Sequence, residues 1–234
     1  MKSIVKKLVL GSTPSLEPVS AIASRLKNIK AIWNNEHDND MGIEKMFRLF
    51  LAASPFIFPG VYIKEIVGRK GRAYSDLAVD MFVLFKVAFP VILLSNGWQH
   101  NRLFFGILIW FMVETVMYVP TLIFASDSLA RPRSYRRSML LLFFNYLEII
   151  FDFAVIYSIG GFFNKPFQAW FDPIYFSFIT SASIGYGDYF PVTPLGKLVV
   201  SGHSVVFLIF VVVFLNFFSS KMESTGYFDD TNES

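Results

Sequence analysis

Four stretches of the chain, 77–94, 103–125, 139–159 and 198–218, run for about twenty residues each with very few charges, which is the length a helix needs to cross a hydrocarbon layer of roughly 30 Å. In a bilayer every backbone N–H and C=O must find its partner inside the protein, so an apolar run of this length is a helix or part of a closed barrel. Unbroken runs without strict polar alternation select helices. A soluble domain cannot hide this much apolar surface in 234 residues that are 54% hydrophobic and include 28 phenylalanines. The expected fold class is therefore an all-α membrane protein with four transmembrane helices.

Charge placement supplies a topology. The net charge is only +3, and the basic residues flank the apolar runs instead of forming a stripe, so a nucleic-acid partner is not expected. Lys64, Arg69, Lys70 and Arg72 precede the first run, and Arg131, Arg133, Arg136 and Arg137 lie between the second and third. Short loops rich in Lys and Arg stay on the cytoplasmic side. Both termini then lie in the cytoplasm of a multi-pass plasma-membrane protein. The four loop arginines, Arg131, Arg133, Arg136 and Arg137, are also expected to meet anionic lipid.

The remaining segments are read by composition. Residues 1–45 are polar and cytoplasmic, and 46–76 hold an interfacial helix and a basic linker, because Pro55 and Pro59 interrupt an apolar run too short to span. Residues 77–126 form a two-helix membrane region, 127–138 a basic cytoplasmic linker, 139–219 a pore module and 220–234 a short tail. With no cysteine, and with His37, His100 and His203 scattered, neither a thiolate site nor a histidine metal centre is expected. No catalytic constellation and no cofactor are expected either.

The module at 139–219 takes its name from a loop. Asp172-Pro173 signals a helix start with a capping carboxylate and a proline in the first turn, and the short helix at 173–182 runs into Ser183-Ile184-Gly185-Tyr186-Gly187-Asp188. Glycines at alternate positions allow a backbone of alternating handedness, in which successive carbonyl oxygens face one side. Rings of such carbonyls can replace the water shell of a dehydrated cation. The carbonyls of Ser183, Ile184, Gly185 and Tyr186, ending at Gly187, and the Ser183 hydroxyl are the expected ligands, with Ile184 and Tyr186 pointing backwards.

These residues resemble the potassium-channel signature T-V-G-Y-G-D, and the likeness extends upstream through Ile174–Ser181 and downstream through Tyr189–Lys197. The resemblance implies a re-entrant pore helix and selectivity filter between the last two spans, K+ bound at the filter alone, and a homotetramer, since one chain supplies one GYG. It also implies support for the filter from Asp188, Tyr175, Phe176 and Thr180, with Tyr175 and Phe176 as an aromatic cuff around Tyr186. Phe176 stands where many members carry a tryptophan that hydrogen-bonds the aspartate matching Asp188, and phenylalanine cannot donate. Ser204, Leu208, Val211 and Leu215 share one helical face, which the resemblance turns toward a water-filled cavity. Passive K+ conduction is the expected function, with a weakly selective cation channel or a non-conducting sensing subunit as the alternatives.

Lys86, Glu114, Glu148 and Asp152 are ionisable residues inside the spans and need partners there. Lys86 and Glu114 lie near the middle of the first and second runs, and Glu148 and Asp152 sit one turn apart on the third. The expected pairing is Lys86 with Glu114 first, and with Glu148 or Asp152 second.

Overall fold

The computed structural model describes residues 20–36, 39–124 and 134–222. Among them no strand forms, and one isolated antiparallel bridge pairs Phe163 with Pro191. The helices are α1 (Ala21–Trp33), α2 (Gly42–Ala53), α3 (Pro59–Gly68), α4 (Arg72–Ser95), α5 (Arg102–Phe124), α6 (Tyr135–Ile159), α7 (Asp172–Ser181) and α8 (Pro194–Met222). Single 3-10 turns lie at Ser54–Ile57 and Trp98–His100. Four helices, α4, α5, α6 and α8, are long and apolar enough to cross a membrane, and they cover the four runs read from the sequence, the second as far as Phe124.

All four helices begin earlier than their apolar runs. Helix α4 starts at Arg72 and carries Asp76 and Asp80 in its first turns, where Arg137 of α6 lies 2.6 Å from Asp80 and 3.7 Å from Asp76. The acids are neutralised by a helix far away in sequence, so the helix continues through them. Arg137 is thereby engaged with α4 instead of facing lipid, which removes it from the expected lipid-binding set. Arg136 is exposed, and Arg131 and Arg133 lie outside the described residues.

Between spans, lipid is as apolar as leucine, so packing and buried polar contacts hold the helices together. One core gathers Val119 of α5, Ile149, Phe153 and Tyr157 of α6, Phe176 and Ile179 of α7, and Phe210 and Val213 of α8. A second joins Leu93 and Leu94 of α4 and Leu108 of α5 to Ala154, Val155 and Ile174. Helix α6 takes part in both. The first two spans are thus built onto the outer helix of the last pair.

The N-terminal part is more structured than its polarity suggests. Ser20 caps α1 by accepting from the Ala23 N–H at 3.1 Å, and Glu65 of α3 accepts from the Ile22 N–H at 3.1 Å. Buried Arg48 pairs with buried Asp40. The apolar stretch with the two prolines becomes α2, the 3-10 turn and α3, with each proline near the start of its element and a 67° bend at the break.

Candidate functional site: the pore loop

Helix α7 is held from behind before the loop begins. Buried Ser177 donates to the Ile150 carbonyl of α6 at 2.6 Å. Buried His203 of α8 links three helices: its Nδ1 meets the Tyr157 hydroxyl of α6 at 2.9 Å, and its Nε2 meets the Ser181 hydroxyl of α7 at 2.8 Å. Its ring stacks on Phe153 at 4.0 Å. Neutral imidazole offers one donor and one acceptor, and hydroxyls serve either role, so all three groups are satisfied without a charge. The partners of this histidine were not visible in the sequence.

The chain leaves α7 through three bonds in succession. The N–H groups of Ala182, Ser183 and Ile184 donate to the carbonyls of Phe178, Thr180 and Ile179 at 2.9, 3.1 and 2.9 Å. Thr180 therefore holds the start of the loop through its carbonyl. Beyond it the backbone alternates: φ is +55° at Ser183, +59° at Gly185 and +81° at Gly187, while Ile184 and Tyr186 stay at negative φ. Left-handed residues cost roughly 1–2 kcal/mol each when a Cβ is present, so a serine held there is constrained by its surroundings. The sequence pointed to the two glycines; it carried no signal for Ser183. A Cβ on Gly185 or Gly187 would meet nothing within its own chain, so φ alone demands glycine at these positions.

Ile184 and Tyr186 are 52% and 69% exposed in the single chain, a surface the fold leaves open beside the ladder. The expected aromatic cuff does not form within one chain. Phe176 is buried in the opposite direction, edge-to-face with Tyr157 at 5.1 Å and with Phe163 at 4.6 Å. Tyr175 lies instead within electrostatic reach of Asp188.

The chain beyond Asp188 is tied to the loop before α7. Asn164 receives the Phe190 N–H on its side-chain oxygen and donates its own N–H to the Phe190 carbonyl, both at 3.1 Å; Val192 N–H reaches the Phe162 carbonyl at 2.8 Å. Gly196, at the start of α8, lets that helix approach Phe162, where a Cβ would sit 2.7 Å from the phenylalanine Cβ. Asp172 does not cap α7 forwards as expected. It is the first residue of the helix, and its Oδ2 turns back to accept from the Gln168 and Ala169 N–H groups at 2.7 and 3.0 Å and from the Tyr189 hydroxyl at 3.1 Å. Partial burial raises the Asp172 pKa, but these donors and the nearby Lys165 ammonium outweigh it and hold the carboxyl below the ordinary aspartate value.

Along α8, Ser204, Leu208 and Leu215 are exposed and Val211 is half-buried, and the Ser204 hydroxyl donates to the Val200 carbonyl at 3.1 Å. The intramembrane charges come together on the other side of α6. Lys86 Nζ lies 3.1 Å from Glu148 and 3.9 Å from Glu114, and also contacts the Thr115 hydroxyl, which donates to Glu148 at 2.9 Å. The expected order of partners is reversed, because α4 packs on α6 and brings Lys86 to the outer helix. Asp152 is buried one turn further on, and its Oδ2 has no hydrogen-bond partner among the described residues.

An outer helix, a short helix entering between two spans, a loop of alternating handedness and an inner helix together define a two-helix pore module. Residues 142–224 match the family model described as Ion channel, so this part of the chain is a pore domain of that family. No solved structure matches the chain. The protein is a multi-pass membrane protein carrying a pore-forming ion-channel domain.

Proposed function

We propose that the chain is a subunit of a homotetrameric potassium channel that conducts K+ passively across the plasma membrane, with both termini cytoplasmic. The observation that carries this reading is the alternation of φ across Ser183–Gly187. Such a backbone directs successive carbonyls to one side, and four copies around an axis close each set into a ring. The exposed Ile184 and Tyr186 support assembly, since an apolar side chain and a large aromatic beside the ladder are suited to packing against neighbouring chains. Helix α7 aims its C-terminal carbonyls toward the inner end of the filter, where the negative end of its dipole favours a cation. Asp188, placed at the outer mouth in this reading, lies within electrostatic reach of Tyr175. Purified protein in liposomes tests the reading by bi-ionic reversal potential. A shift showing strong preference for K+ over Na+ supports it, equal permeability reduces it to a weakly selective cation channel, and absent flux makes the chain a non-conducting subunit.

A further inference from the structure

The break between α2 and α3 is held by an intramembrane carboxylate. The Gly60 N–H, in the first turn of α3, donates to Glu114 Oε1 at 3.1 Å. Glu114 is ten positions before Phe124, the last residue of α5, and so about 15 Å from that end, half the roughly 30 Å hydrocarbon layer. The two limbs leave this point toward the same end of the bundle. On α2, Phe47 meets Phe124 itself at 5.5 Å. On α3, the Lys64 carbonyl accepts from Ser75 in the first turn of α4 at 3.5 Å, and only Arg69, Lys70 and Gly71 separate the two helices. A helix pair crossing the membrane would carry its limbs to opposite ends. The 67° bend and these three contacts describe a shallow arch that enters one leaflet and returns.

We propose that Gly42–Gly68 is a re-entrant arch in the leaflet that receives the α4 N-terminus, and that Glu114 couples its apex to the pore. Glu114 is the joint: one oxygen caps α3 and the other lies 3.9 Å from Lys86, which contacts Glu148 on the outer helix of the pore at 3.1 Å. A path of contacts thus runs from the arch through α5 and α4 to α6. Ile43, Met46 and Phe50 lie along one side of α2 and are all more than half exposed, as a limb bathed in acyl chains requires. The fit at the apex is close. A Cβ on Gly60 would stand 2.5 Å from Glu114 Oε1, so the carboxylate can reach the N–H only because residue 60 is glycine.

The absence of cysteine makes the test direct, because each introduced thiol is unique. In vesicles of known orientation, Met41→Cys and Arg69→Cys are expected to react with a charged, membrane-impermeant maleimide from the same side, and Ile57→Cys from neither. Reaction of Met41→Cys and Arg69→Cys from opposite sides, or ready reaction of Ile57→Cys, overturns the arch. These readings need no conduction, so they stand apart from the channel assignment. Coupling is read by thermal midpoint and by yield of assembled full-length protein for Gly60→Ala, Glu114→Ala and the pair. Gly60→Ala is expected to lower both in the wild-type background and to lose its effect when Glu114 is alanine. An equal loss in both backgrounds overturns the role of Glu114.

Discussion

Lys86 is closer to Glu148 of the pore's outer helix, at 3.1 Å, than to Glu114 of its own hairpin partner, at 3.9 Å. An ion pair inside the membrane therefore adds to the packed cores in attaching the first two spans to the pore. Removing one partner of a buried pair leaves the other uncompensated, at a cost of about 3–5 kcal/mol, whereas removing both costs far less. Lys86→Gln and Glu148→Gln are each expected to lower the thermal midpoint and the yield of assembled protein, with much of the loss restored in the double substitution. Thermal unfolding of purified protein in detergent checks this. Additive losses would show that the two residues do not act as a pair.

The error in ranking these partners shows what the sequence contains. Position along a span gives depth, and depth correctly placed Lys86, Glu114 and Glu148 near one level. It does not say which helix lies on which side. That is decided by the packing of Leu93 and Leu94 against Ala154 and Val155, which no periodicity in one helix reveals. The spans were legible because lipid imposes length and apolarity locally, and the positive φ at Gly185 and Gly187 was legible because alternating glycines leave few uses. Positive φ at Ser183 was not, since serine carries no preference for it and is forced there by its neighbours.

Gly185→Ala is expected to abolish flux without preventing membrane insertion. At φ +59° an alanine costs roughly 1–2 kcal/mol in each chain, and a tetramer would bear that cost four times in one ring. Relief comes only by leaving the left-handed region, which turns a carbonyl away from the axis. Liposome flux alongside gel filtration distinguishes the outcomes: assembled but silent protein is expected, and normal flux would contradict the ladder.

His203 should act as a structural node. Tyr157→Phe and Ser181→Ala each remove one hydrogen bond and are expected to cost about 1 kcal/mol. His203→Ala removes both bonds and the stacked ring against Phe153, and leaves two buried hydroxyls to find other partners. Its cost is expected to exceed the sum of the other two, by about 1–3 kcal/mol for each group left unsatisfied. Thermal midpoints of the three variants check the ordering. A His203→Ala protein as stable as the wild type would remove the node.

Asp172 gives the loop before α7 a defined response to acid. Its carboxyl is held below the ordinary value by the Ala169 and Gln168 N–H groups, the Tyr189 hydroxyl and Lys165. A depressed folded-state pKa means that the ionised form is favoured by folding, so its contribution is fully present above the unfolded value of about 3.9 and is lost as pH falls through the lower folded value. Between pH 7 and pH 5 this group should therefore leave stability unchanged, and the loss should appear only in strong acid. Asp172→Asn carries no titratable carboxyl and keeps one oxygen as an acceptor, so it is expected to be less stable than the wild type at pH 7 and to converge with it as the wild-type carboxyl protonates. Thermal midpoints of both proteins from pH 7 down to pH 3 check this. A gap between them that persists or widens in acid would show that the Asp172 charge does not hold the loop before α7 to Tyr189.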